Sequence, residues 1–133
     1  MRTYTITARR DDEHGSHAGV REGLVVLDTS LAGRDDALNP VELLLASLAA
    51  CMIKGVERSA PMLKFGFSGV TASLSAERQD APPKLTAITY ELVVDTDESD
   101  HRLELLHTNV RKYGTISNTL AESVALTGVV RRG

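Results

Sequence analysis

The chain has 133 residues, 42% hydrophobic and 25% charged, the balance of a soluble globular protein and enough for one domain, residues 1–133, with its own core. A formal charge of −3 offers no basic footprint for nucleic acid or an anionic membrane. The single cysteine excludes an intrachain disulfide and a multi-cysteine metal site, and no motif asks for a cofactor.

Residues 1–14 are polar and charged, unlike a signal peptide, so a cytoplasmic setting is expected. Within them, residues 3–8 (Thr-Tyr-Thr-Ile-Thr-Ala) alternate with period two and predict a first, half-buried strand. Residues 9–19 are polar and glycine-containing and read as a turn. His14 and His17 lie there, with no cysteine or third histidine nearby, and read as a solvated hairpin tip rather than a metal pair. The apolar run Leu24-Val25-Val26-Leu27 predicts a second strand ending at Asp28, and residues 31–38 form a loop.

The most informative stretch is residues 39–58. Asn39 is a strong N-cap, Pro40 suits the first helical position, and Glu42 stands where a capping-box carboxylate reaches back. From Leu43 to Ile53 only Ser47 is polar, so no polar stripe survives and the helix should be buried on nearly every side. Polarity returns with Lys54, Glu57 and Arg58, and Pro61 is expected to close the segment. The apolar run is well short of the ~20 residues a membrane span needs.

Beyond Pro61 the pattern turns to strand. Phe65 and Phe67 share one parity, and Val70, Ala72, Leu74 and Ala76 the other. The phase change at Gly69 predicts a bulge or kink within one long strand. Residues 78–83 form a turn, and Ile88, Tyr90, Leu92 and Val94 mark the inward face of the partner strand. Ser99 caps a second helix with Leu103, Leu106 and Val110 on one face. Gly114 stands where a C′ glycine belongs, Ser117 begins a short helix to Val124, and residues 126–131 form a last strand. Segregated strands and helices argue for an α+β fold with mainly antiparallel sheets. A helix apolar all round also asks for cover from a second layer or a second subunit.

Two stretches resemble the OsmC/Ohr family of osmotically inducible and organic hydroperoxide resistance proteins. The first is residues 39–51, Asn-Pro-Val-Glu-Leu-Leu-Leu-Ala-Ser-Leu-Ala-Ala-Cys. The second is residues 113–120, Tyr-Gly-Thr-Ile-Ser-Asn-Thr-Leu, where peroxidase members carry a cysteine-proline pair before a similar tail. The resemblance implies an intertwined homodimer whose sheets enclose the central helices. It implies reduction of organic hydroperoxides by two cysteines, a glutamate and an arginine. Carried onto this chain, Cys51 matches the peroxidatic cysteine, and Gly114 occupies the place of the resolving one. Val41 stands where the peroxidases have glutamate, with Glu42 one residue later. The arginine comes from the N-terminal β region, which offers Arg9, Arg10, Arg21 and Arg34. Arg21 is preferred because it directly precedes the predicted second strand.

The expectation is thus a thiol-dependent peroxidase acting through Cys51, Glu42 and Arg21, with an external thiol as resolving partner. The alternative is a non-enzymatic binding protein of the same fold that holds a small hydrophobic ligand while Cys51 merely packs. Physical chemistry constrains the first reading. Attack on an O–O bond needs a thiolate, and a free thiol is only a few per cent ionised at neutral pH, so a nearby cation is required. Nine residues at about 100° each put Glu42 and Cys51 on opposite faces of one helix, and a capping box already accounts for Glu42.

Overall fold

The longest element, helix α1 (Pro40–Leu63), begins where the capping signals place it. The structure, a computed structural model, describes residues 1–133. Asn39 N–H donates to Glu42 Oε1 at 2.9 Å, and Glu42 N–H donates to Asn39 Oδ1 at 2.9 Å, which completes the reciprocal capping box. Pro61 does not end the helix, which runs on to Leu63. Termination comes from a Schellman arrangement: Phe65 N–H reaches Ala60 O at 2.8 Å and Lys64 N–H reaches Pro61 O at 3.3 Å. Lys64 takes the left-handed position, with φ 52°.

The chain packs as two compact units, Met1–Leu44 and Leu45–Gly133. The first holds an antiparallel meander of β1 (Thr7–Asp12), β2 (Gly15–Val20) and β3 (Gly23–Leu27). The first strand therefore starts four residues later than its alternation suggests. The expected turn at residues 9–19 is itself mostly strand, the hairpin reversing at Glu13-His14. The following loop is held by Asp28, whose carboxylate accepts from the Ser30 and Arg34 N–H groups at 3.1 and 3.0 Å. Burial alone would raise the Asp28 pKa, but these hydrogen bonds prevail and hold it below the usual carboxylate range.

The second unit holds β4 (Gly69–Gln79), β5 (Lys84–Asp95), α2 (Asp100–Tyr113), α3 (Thr115–Ala121) and β6 (Ala125–Arg132). Its sheet has the order β4-β5-β6, antiparallel between β4 and β5 and parallel between β5 and β6. The fold is α+β with mainly antiparallel pairing, as the segregated pattern implies. Phe65 and Phe67 precede β4 rather than extending it, so the phase change at Gly69 is the start of the strand. The register irregularity falls later, between Glu77 and Arg78.

The core joins Leu48, Met52, Val56 and Ala60 of α1 to Ile88, Tyr90, Leu92 and Val94 of β5 and to Leu103, Leu106 and Val110 of α2. Spacings of four along α1 place its contributors on one stripe. A single chain buries that stripe with Gly55 and Ser59 beside it, and leaves Ser47, Ala50, Ile53, Lys54, Glu57 and Arg58 exposed. Gly55 lets α2 approach closely, since a Cβ there would stand 3.2 Å from Val110 Cγ1. The end of α1 is fastened to the start of α2 through Arg102, which donates to Leu63 O at 2.6 Å, Lys64 O at 3.0 Å and Glu98 Oε1 at 3.1 Å. Glu98 also accepts from Gly66 N–H at 2.8 Å. That bond, then Arg102, holds its carboxyl below the ordinary range. Ser99 Oγ accepts from Arg102 N–H at 3.3 Å and caps α2 as expected.

Candidate functional site

Cys51 is free and partly exposed in the middle of α1. Its neighbours Leu48 and Met52 are both 0% exposed, so the thiol lies off the stripe that forms the core. Lone cysteines usually serve as small buried hydrophobes; this one is outside the core cluster. No second cysteine exists to resolve an oxidised sulfur.

Gly114, at the place of the resolving cysteine, links α2 directly to α3. Its φ of −80° and ψ of 114° are ordinary extended values, so the left-handed C′ role expected of it is not the one it plays. Crowding explains the glycine instead. A Cβ there would lie 2.9 Å from Val110 O and 3.0 Å from Ser117 Oγ. Ser117 lies within α3, which begins at Thr115, and its buried hydroxyl has no hydrogen-bond partner.

Glu42 is exposed and engaged in the capping box. It also lines a pocket of about 620 Å³ with Val26, Arg34, Asp36 and Leu38. Arg34 forms a two-pronged pair with Asp36, Nε to Oδ1 at 2.8 Å and Nη2 to Oδ2 at 2.9 Å, which holds the Asp36 carboxyl low. Arg21 lies in the β2–β3 turn with φ 55°. It lines a different pocket with His17, Glu22 and Leu24. Arg9 and Arg10 belong to β1. Within the first unit, then, Glu42 and Arg34 line one pocket, with Arg34 paired to Asp36 and Glu42 to Asn39, and Arg21 lines another.

A second polar cluster, in the second unit, escaped sequence reasoning. Tyr90 of β5, 2% exposed, sets its hydroxyl 2.5 Å from His107 Nε2. Arg111 Nη1 donates to the same hydroxyl at 3.1 Å and to Leu126 O at 3.4 Å. The only available signal was His107 and Arg111 at i, i+4 on α2; nothing in the sequence pairs them with a tyrosine on β5.

The same architecture recurs among known proteins. A family model described as OsmC-like protein matches residues 33–127. No curated protein matches the sequence. Among solved structures, an OsmC-like protein from Mycoplasma pneumoniae superposes with a TM-score of 0.89 at 20% identity, over 98% of this chain and 97% of that one. An organic hydroperoxide resistance protein OsmC from Legionella pneumophila gives 0.72 at 22% identity, over 98% of each chain. The organic hydroperoxide resistance protein OhrB of Bacillus subtilis gives 0.69 at 20% identity, over 97% of this chain and 98% of that one. These likenesses establish a shared fold. No helix of this chain is long and apolar enough to cross a membrane.

Proposed function

The chain belongs to the OsmC-like protein family, and from that premise we propose that it is a thiol-dependent reductase of organic hydroperoxides working through Cys51. The observation that carries the reading is the partial exposure of Cys51 beside fully buried Leu48 and Met52. Standing off the core stripe, the residue is not sealed from peroxide or a reductant by its own chain. The hydroperoxide resistance proteins that share the fold support the choice of substrate class.

In the proposed cycle the Cys51 thiolate attacks the distal peroxide oxygen, the O–O bond breaks, and the alkoxide leaves to take up a proton as an alcohol. The sulfur becomes a sulfenic acid. With no second cysteine in the chain, an external thiol condenses with the sulfenic acid, releasing water and leaving a mixed disulfide. A second external thiol then displaces Cys51. In this reading the cation that favours the thiolate comes from the arginines of the N-terminal β region, with Arg21 the first candidate and Arg34 its competitor. A cytoplasmic setting, which keeps thiols reduced, suits this chemistry.

The working unit in this proposal is a homodimer. Leu24, Val26, Ile53 and Met62 are 72%, 47%, 38% and 67% exposed in one chain, apolar surface of the kind subunit contacts cover. The interface should exceed ~2,000 Å², and a folded monomer in sedimentation at micromolar concentration would contradict it.

The test of function is consumption of cumene hydroperoxide by the wild-type chain with and without an added dithiol of lipoyl type. Turnover should require the dithiol and vanish in Cys51→Ser. Absence of turnover together with saturable binding of an apolar ligand would favour the non-enzymatic reading instead.

A further inference from the structure

The Tyr90–His107–Arg111 cluster opens onto a pocket of about 660 Å³ that Thr108, Lys112 and Thr127 also line. No residue of α1 contributes to it, so it stands apart from Cys51. The pocket's floor is held in place. The Tyr90 and His107 rings meet edge to face at 5.6 Å and 80°, and Arg111 lies over the Tyr90 ring at 5.7 Å from its centroid. Tyr90 faces Gly128 in the parallel ladder, where the lack of a side chain lets the ring lie against β6.

Charge in this pocket is unbalanced. Arg111 is half-buried, yet its bonds go to a neutral phenol and a carbonyl, and neither Arg111 nor Lys112 takes part in any ion pair of the chain. No acidic residue lines the pocket. The Glu104 carboxylate stands 3.9 Å from His107 Nδ1 and is itself mostly exposed. A partly desolvated guanidinium without a counter-ion is uncommon, because taking such a charge from water is costly unless an anion meets it. Arginine's planar fork suits carboxylate and phosphate oxygens, and the lysine ammonium and the two threonine hydroxyls add donors around it.

We infer that this pocket binds a small oxyanion, a carboxylate or phosphate group held between Arg111 and Lys112 with Thr108 and Thr127 as supporting donors. The inference rests on no part of the thiol chemistry. Burial, opposed by Glu104 and assisted by Arg111, lowers the His107 pKa, and a neutral His107 can then accept from Tyr90 while the phenol accepts from Arg111. That arrangement leaves the rest of the guanidinium free for a ligand.

The test is titration of the full chain with inorganic phosphate and with acetate, followed calorimetrically and by the His107 imidazole NMR signals. Sodium chloride at matched ionic strength controls for screening. One saturable site is expected, at about millimolar affinity or better. Tighter binding of phosphate or of acetate identifies the group the site was built for. Arg111→Gln should weaken binding roughly tenfold or more, and Lys112→Gln several-fold, since charge-assisted bonds are lost. Lys112 is exposed, so its variant keeps the test valid if Arg111→Gln fails to fold. Lys54→Gln, an exposed lysine on α1, should bind as the wild type does. Absence of saturable binding by either anion, or equal affinity in wild type and Lys112→Gln, overturns the inference.

Discussion

Replacing Gly128 by alanine tests the packing of the second unit at one atom. Residues 90 and 128 are direct partners in the parallel β5–β6 ladder. A Cβ at 128 would fall inside van der Waals contact of Tyr90 Cγ, Cδ2 and main-chain O together. The carbonyl is fixed by the sheet, and the ring is held by His107 and Arg111. Neither neighbour is the free end of a flexible chain, so the strands must separate or Tyr90 must turn. Overpacking of this kind costs about 1–3 kcal/mol. Turning the ring also leaves a buried hydroxyl unpaired, another ~1–3 kcal/mol. Against these, alanine in a strand recovers roughly 0.5–1 kcal/mol of backbone entropy. The net expectation is a loss of about 1–5 kcal/mol, or a fall in Tm of roughly 3–20 °C for a chain of this size. Urea and thermal unfolding at matched protein concentration measure it. Gly66→Ala is the control, because the only atom near its Cβ is Glu98 Oε2 at 4.0 Å. If Gly128→Ala unfolds within about 0.5 kcal/mol of the wild type, the account of this ladder and of the Tyr90 floor is wrong.

Other consequences follow from the same geometry. Lys64→Gly should stabilise the chain by about 0.5–1 kcal/mol in urea unfolding, because Lys64 occupies the left-handed C′ position at φ 52°. Asn39→Ala removes one half of the capping box and should cost ~1 kcal/mol. His107 titrates near 6.5 when unfolded and lower when folded. Its contribution is therefore complete above about pH 6.5 and lost as pH falls toward the folded value, with a slope of at most ~1.4 kcal/mol per pH unit. The difference in stability between wild type and His107→Gln should shrink over that window, and a constant difference would contradict the assignment. Gly114→Cys should destabilise the fold rather than restore an internal disulfide, because its Cβ would press on Val110 O and Ser117 Oγ; clean formation of a bridge between Cys51 and the introduced thiol on oxidation would refute this.

What the sequence made legible was what local chemistry decides. The start of α1 was written in Asn39, Pro40 and Glu42, and the cap of α2 in Ser99. Pro61 misled by only two residues: the helix runs on to Leu63, where the Schellman motif, not the proline, ends it. Strand β2 was hidden because Gly15, Ser16, His17, Ala18 and Gly19 carry no β-forming side chain. Its place comes from hydrogen bonding to β1 and β3 on both sides, which propensity does not encode. Phe65 resembled a strand residue but is the apolar C″ residue of a helix end. Of the candidate site, Cys51 and the capping role of Glu42 could be read directly. The pairing of Arg34 with Asp36 could not, since it depends on how the loop before α1 folds around Asp28. The oxyanion pocket needed topology too: only the parallel docking of β6 beside β5 brings Leu126 and Thr127 to the residues of α2.

The central claim, that Cys51 is the reacting sulfur, is tested most directly by mass spectrometry of the wild-type chain after one equivalent of cumene hydroperoxide, with an exposed small thiol in the same tube as competitor. Cys51 should be oxidised first, gaining one oxygen as a trappable sulfenic acid that excess peroxide carries to the sulfinic form. Arg21→Ala or Arg34→Ala should slow that step. Cys51 left unmodified while the small thiol is consumed would contradict the claim.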